Sequence, residues 1–463
     1  MGRYLAWLIL GLTPLGLVAQ EGHIESDSTG IHASPTLGER VKAGEVEFHL
    51  RSFFMGTINR GDLIDYHSLA VGGGIGYFSP SFKGFQVGFS GFFVFQLYEH
   101  NLRIPDPTTG NVNRYEILLY DMNDLENTRD LDRLEHLYLS YERNGFQAVL
   151  GRQKVNTPFL NEQDNRMRPN IFNGMSVSRR SSNWQGSLSW FDHVTMRGTV
   201  DWYSVEESFG VYPFGRNVFG TSSGYKGNVS SKGIGVGNVS YSGNNGEKFQ
   251  YWSYLADNVF QMQFAQLEKK SVVGGFELTA GLQGFYQSAI NDGGNPDPEK
   301  AYIMKGEKSM GYGAKVGSKV GKHEFSLNAL SITRDGRFLF PREWGRETFF
   351  ASLPRERFEG NGGVRAISLK YEYRFDRKTN GLLGASSVDH PDVNNFSLNK
   401  YGVPSYYHFV GSLDHRLDGY LEGLNIKVLV VNKAAKNPDE IPDQNRINRV
   451  DMWNFNVVMD YRF

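Results

Sequence analysis

A short segment near the middle of the N-terminal half alternates acidic and basic side chains with uncharged residues. Its charged members are Glu162, Asp164, Arg166 and Arg168. Opposed charges around a narrow opening select solutes by charge and by size. We expect Arg166 to pair with Asp164 and hold the segment in place, and Arg168 to contact a solute. The alternative is that the segment has only a structural role, in which the Arg166–Asp164 pairing fastens it to its surroundings.

A second segment, residues 333–363, is rich in arginine. Within 24 residues it contains six arginines: Arg334, Arg337, Arg342, Arg346, Arg355 and Arg357. Four acids accompany them: Asp335, Glu343, Glu347 and Glu356. A guanidinium group can bind a carboxylate through two parallel hydrogen bonds. Two interpretations stay open: inward-facing donors for an anionic solute, or an exposed loop neutralised by its own acids or by anionic surface sugars.

The composition excludes several other kinds of chemistry. The 463 residues include 49 Lys and Arg against 50 Asp and Glu, and this balance argues against nucleic acid as a partner. The chain has no cysteine, which excludes disulfides, thiolate metal sites and cysteine nucleophiles. None of the 11 histidines falls in a His-x-His or His-Glu-x-x-His pattern. We therefore expect no metal and no cofactor.

Strict alternation of apolar and polar residues predicts β-strands throughout the chain. It is clearest at the C-terminus, where the apolar residues are Trp453, Phe455, Val457, Met459, Tyr461 and Phe463. Such runs predict eighteen strands: 46–58, 64–77, 82–96, 134–143, 145–155, 172–181, 185–193, 233–242, 248–256, 260–269, 274–288, 310–319, 323–331, 364–375, 381–388, 404–415, 424–433 and 450–463. The stretch 194–232 could hold another pair.

The lengths of the connections alternate between short and long. Asn144 and Gly321–Lys322 are tight turns, whereas 97–133 and 333–363 are long. Short turns at one end and long loops at the other are typical of an outer-membrane β-barrel. The sequence therefore predicts a single antiparallel transmembrane barrel with short periplasmic turns and long extracellular loops. The terminal Phe463 is typical of the signal that barrel-assembly machinery recognises, and outer-membrane lipid would surround the barrel.

Because every second residue of a barrel strand faces the lumen, parity predicts which charges line it. The predicted lumen residues are Arg51, Arg180, Lys315, Lys319, Lys370, Glu372 and Arg374. The alternative for each residue is that it only keeps the lumen hydrated.

The first residues are typical of an export signal. Arg3 precedes an apolar run from Tyr4 to Val18, which is too short for a membrane span, and Ala19 suits a cleavage site. We expect a signal peptide at 1–19, a periplasmic segment at 20–44 and the barrel at 45–463. The protein would then reside in the outer membrane of a Gram-negative-type bacterium.

The segment Leu150-Gly-Arg-Gln-Lys-Val-Asn-Thr-Pro-Phe-Leu160, followed by Asp164, Arg166, Pro169, Phe172 and Gly174, resembles the third-loop region of the OprD family of substrate-specific outer-membrane porins. Residues 50–54 through 82–85 resemble the opening hairpins of that family, so the resemblance covers roughly 45–180. It implies an eighteen-stranded, mostly monomeric barrel. It also implies that residues 156–171 form an inward-folding constriction loop.

The resemblance implies passive, selective diffusion of small solutes, usually ones bearing carboxylates. A plugged structural barrel or adhesin is one alternative. An outer-membrane hydrolase is another, although His49, His67 and His136 have no evident nucleophile beside them in the sequence.

Overall fold

The computed structural model describes residues 43–463, except residues 164 and 213. The predicted signal peptide and nearly all of the predicted segment 20–44 lie outside the described residues. Among the described residues, no helix combines the length and the apolar character needed to cross a membrane.

Eighteen long strands account for most of the described chain. They are β1 Glu45–Asn59, β2 Tyr66–Phe78, β3 Phe85–His100, β4 Leu131–Arg143, β5 Phe146–Gln153, β6 Ile171–Ser181, β7 Trp184–Thr195, β8 Ile234–Ser242 and β9 Glu247–Ala256. The second half contributes β10 Phe260–Val273, β11 Phe276–Ala289, β12 Lys308–Val320, β13 His323–Ile332, β14 Arg365–Arg374, β15 Thr379–Asp389, β16 Tyr406–Arg416, β17 Leu424–Ala435 and β18 Met452–Arg462. The predicted number of strands is confirmed. A further two-residue strand, Tyr203–Ser204, pairs with β7 inside the stretch 194–232.

The strands form one closed antiparallel barrel. Each strand pairs with its neighbour in sequence, and β1 closes the barrel by pairing with both β2 and β18. At the seam, Leu50 lies opposite Tyr461 and Phe54 lies opposite Val457. The predicted single antiparallel barrel is therefore confirmed.

The alternation of the sequence separates the two faces of each strand. On β14, the outward-facing Ile367 and Leu369 are 57% and 59% exposed, whereas Ala366 and Ser368 are each 1% exposed. An outer face of exposed apolar side chains is stable only against lipid, so this pattern fits a membrane-spanning barrel.

The connections differ in length at the two ends of the barrel, as predicted. Several at one end are two-residue turns, and Asn144 and Gly145 have the positive φ values (50° and 76°) that such hairpin turns require. The opposite end carries the long loops 101–130, 154–170, 196–233, 290–307, 333–364, 390–405 and 436–451, whereas the connections 60–65 and 257–259 at that end are short. We call residues 154–170 loop 3 and residues 333–364 loop 7.

The buried core lies inside the barrel and consists largely of these long loops. Phe159, Trp344 and Leu353 are at most 1% exposed, although none of them belongs to a strand. Loops 3 and 7 therefore fold into the lumen.

Candidate pore constriction

Loops 3 and 7 are fastened to each other by hydrogen bonds between side chain and backbone. The Asn161 side chain donates to the Arg346 carbonyl at 2.8 Å and accepts from the Arg346 N–H at 3.1 Å. Thr348 N–H donates to the Pro158 carbonyl at 3.1 Å. The Asn161 pair satisfies the backbone of Arg346, and the Thr348–Pro158 bond joins the two backbones, so neither loop can move alone without losing these bonds.

An aromatic cluster fixes the tip of loop 3. Phe159 is 1% exposed, and its ring lies within 5.8 Å, centroid to centroid, of five other rings. These belong to the barrel wall (Tyr254 and Phe264) and to loop 7 (Phe338, Phe340 and Phe349). Edge-to-face contacts such as these are favourable beyond the burial of area.

The folded loops divide the lumen into a narrow upper cavity and a wide lower cavity. The upper cavity has a volume of about 100 Å³ and the lower one about 910 Å³. Asn165, Arg346 and Arg355 line both cavities. These three residues therefore mark the constriction, and loop 7 supplies two of them.

The wall of the upper cavity is strongly cationic. Nine of its lining residues are basic: Arg114, Arg166, Arg197, Arg342, Arg346, Arg355, Arg357, Lys433 and Arg449. Among the described lining residues the only acid is Glu356. Burial, together with the neighbouring Arg197 and Arg346, lowers the pKa of Arg355 to about 9. The guanidinium groups still carry charge at neutral pH, and an incoming anion would relieve their mutual repulsion.

The predicted constriction residues take different positions. Glu162 lines the lower cavity and accepts a hydrogen bond from the Asn156 side chain at 2.8 Å. Asp164 lies outside the described residues. Arg166 is 1% exposed, donates to the Tyr115 carbonyl at 3.2 Å and borders the upper cavity.

The expectation for Arg168 is corrected by the structure. Its side chain is 1% exposed and donates to the carbonyls of Leu131 at 2.9 Å and Tyr120 at 3.3 Å. Because its donors are directed at the backbone of the preceding loop and strand, Arg168 holds loop 3 instead of facing a solute.

Three of the predicted lumen residues make inward contacts. Arg51 lies 3.3 Å from the Asp460 carboxylate and lines the lower cavity, and Lys315 lies 3.3 Å from Glu268. Lys370 donates to the Phe350 carbonyl at 2.8 Å, so it also supports loop 7.

The remaining predicted lumen residues lie toward the short-turn end. Lys319 is 3.7 Å from Glu324, and Glu372 lines a third cavity of about 320 Å³. Arg180 is exposed and donates to Gln185 at 3.1 Å, and Arg374 is exposed at the last position of β14.

The sequence interpretation missed four cations of the upper cavity. Arg114, Arg197 and Arg449 come from three long loops without any periodic pattern, so nothing in the sequence placed them there. Lys433 is different, because it shares the inward parity of Val431 on β17 and could have been found.

His136 has a hydroxyl partner that the sequence did not reveal. Its Nδ1 lies 2.7 Å from Ser90 Oγ, and its own backbone N–H donates to that oxygen at 3.3 Å. The pair lines a cavity of only about 50 Å³. We interpret it as a bond between β3 and β4.

A closed antiparallel barrel with an apolar outer face and loops folded into its lumen defines a class of protein, the membrane porins. The model of the OprD family of outer-membrane porins matches residues 146–384, just over half of the chain. The chain belongs to this family of outer-membrane proteins. The match overlaps the region 45–180, on which the resemblance rested, over residues 146–180 and continues to residue 384. A search of curated proteins gave no match.

Solved porin structures share the fold at low sequence identity. OccK9 (OpdG) of Pseudomonas aeruginosa superposes with a TM-score of 0.70 at 13% identity, covering 92% of this chain and 99% of that one. OccAB4 of Acinetobacter baumannii gives 0.70 at 14%, covering 91% and 98%. OpdK of Pseudomonas aeruginosa, solved with vanillate, gives 0.66 at 16%, covering 91% and 99%.

Proposed function

We propose that this porin allows passive, selective diffusion of small carboxylate-bearing solutes across the outer membrane. The observation that carries the proposal is the upper cavity, where nine basic side chains and one acid surround about 100 Å³. Guanidinium groups suit carboxylates because two parallel N–H donors match the two oxygens.

Arg346 and Arg355 are the proposed filter because they line both cavities. Conduction requires binding that is favourable but weak, and several adjacent cations allow an anion to pass from one to the next. The vanillate in the OpdK structure supports this solute class, since vanillate bears a carboxylate.

Below the constriction, we propose a path of mixed charge. Glu162 and Arg51 line the lower cavity, and Lys315 and Glu372 line the third. Arg180, Lys319 and Arg374 would keep the exit hydrated. Because both signs of charge occur here, this region contributes less to charge selectivity than the upper cavity does.

The test is the reversal potential of purified protein in a planar bilayer under a KCl gradient. The wild type is expected to be anion-selective, and the double variant R346Q/R355Q is expected to lose most of that selectivity. K319Q is the matched control, since it removes a lumen cation far along β12 from the constriction, and it should keep the selectivity. Equal selectivity in all three proteins would contradict the proposal.

Two further results would redirect the proposal. A cation-selective wild type would keep a channel but make acids such as Glu162 the filter. A correctly folded barrel that carries no current would favour the plugged structural barrel.

We also infer how the chain reaches the membrane. The apolar run after Arg3 would direct export, with cleavage after Ala19, and Phe463 would be read by barrel-assembly machinery. The folded protein would be a monomer surrounded by lipid. N-terminal sequencing of protein extracted from the outer membrane tests the cleavage, with Gln20 as the expected first residue.

A further inference from the structure

Three successive contacts hold the end of loop 7 to the barrel wall through its backbone and Arg355. Lys370 on β14 donates to the Phe350 carbonyl at 2.8 Å, and Lys433 on β17 donates to the Arg355 carbonyl at 3.1 Å. The Arg355 guanidinium in turn donates to the Asn456 side chain on β18. The position of this filter residue is therefore set by the wall.

Glu356 contacts the two strands, β15 and β16, that lie between β14 and β17. Its Oε1 accepts hydrogen bonds from Ser386 on β15 at 3.0 Å, from Tyr406 on β16 at 3.3 Å and from His408 on β16 at 3.1 Å. Its Oε2 accepts from the Leu353 N–H at 2.9 Å. Five consecutive strands, β14 to β18, thus each contribute an inward polar side chain to residues 350–356.

Glu356 is ionised in this setting. Burial alone would raise its pKa, yet His408 and Lys433 hold the pKa of this carboxyl well below its usual range. It is 0% exposed, so an ionised acid sits beside a path that we propose for anions. If its charge alone mattered, it would weaken anion selectivity.

We propose that Glu356 is a positioning residue, and that by holding Arg355 at the constriction it strengthens anion selectivity in spite of its own negative charge. This inference rests on the proposed function. A carboxylate with four donors fixes the residue that follows Arg355, so the guanidinium cannot swing away from the point where the two cavities meet.

The two possible roles predict opposite signs for one measurement. Glu356→Ala removes a negative charge, so electrostatics alone predicts a larger anion-to-cation permeability ratio. Positioning predicts a smaller ratio, by about threefold, because a filter cation is displaced, together with a larger and noisier conductance. Glu372→Gln is the matched control, since it removes an acid that lines the third cavity; it should raise the ratio or leave it unchanged.

Ser386→Ala keeps every charge and removes one donor to Glu356. It should shift the ratio and the conductance in the same direction as Glu356→Ala, by a smaller amount. If Glu356→Ala does not reach a folded, heat-modifiable form, Ser386→Ala is the variant that tests the positioning role.

A raised ratio with unchanged conductance in Glu356→Ala would overturn the inference while leaving the proposed function intact. Wild-type behaviour of Ser386→Ala in both measurements would also overturn it. A wild-type channel without anion selectivity would overturn the proposed function and this inference together.

Discussion

At the scale of single residues, the same side chain serves different purposes according to what its donors face. Arg355 borders both cavities, whereas Arg168 directs its donors at two buried carbonyls. Both are arginines of inward-folding loops, and the sequence alone could not separate them. Arg355, which we propose as a filter residue, has a buried Nε–H without a hydrogen-bond partner among the described residues.

We therefore expect a substitution of Arg168 to affect the stability of the protein and not its ion selectivity. Arg168→Met removes the hydrogen bonds that the buried carbonyls of Leu131 and Tyr120 accept from Arg168, so we expect the free energy of unfolding to fall by about 2 kcal/mol. Urea titration of the protein in lipid or detergent measures this loss, with the exposed Arg180→Met as the control. A large change of ion selectivity without loss of stability would contradict the assignment.

Parity assigns the two faces of a strand because alternation is a geometric property of a strand. Lys315 and Lys370 lie inward as that rule requires. Loop residues have no such rule, since their positions depend on contacts with distant segments, as Asn161 with Arg346 shows. The fold was therefore predictable from the sequence, whereas the positions of the cavity cations Arg114, Arg197 and Arg449 were not.

At the scale of elements, loops 3 and 7 act as one unit. The arginine-rich loop could have remained in solvent, but Phe338, Phe340 and Phe349 pack it against Phe159 inside the barrel. Its aromatic residues, more than its charges, explain why it folds inward, because burial of such rings favours the interior.

The contact between the loops can be tested at Asn161. Asn161→Ala removes both hydrogen bonds to the Arg346 backbone, so we expect the constriction to widen and single-channel conductance to rise. Asn156→Ala, which removes a contact within loop 3 only, is the control. Equal conductance in the two variants would show that these two hydrogen bonds do not set the width of the constriction.

At the scale of the whole molecule, the barrel depends on its closing seam. Phe463 and Phe48 exchange backbone hydrogen bonds at 2.9 and 3.1 Å, and their rings stack with centroids 5.3 Å apart. The last residue of the chain thus completes the pairing of β1 with β18. Because the number of strands is even, β1 begins and β18 ends on the side of the short turns.

Phe463→Ala is expected to reduce the amount of folded barrel in the outer membrane. Heat-modifiability on gels measures the folded fraction, and Phe375→Ala, at an exposed aromatic residue beside a short turn, is the control. If the variant refolds normally in lipid but is depleted in cells, recognition by assembly machinery is supported. A defect of equal size in both settings would point to the seam alone.

The most direct test of the central claim is solute flux through the wild-type channel in liposomes. Gluconate, glucose and glucosamine are similar in size and differ in charge, so their swelling rates isolate the effect of the cationic constriction. The Arg346 and Arg355 filter predicts that gluconate enters fastest and glucosamine slowest. Equal rates, or faster entry of glucosamine, would contradict an anion-selective porin.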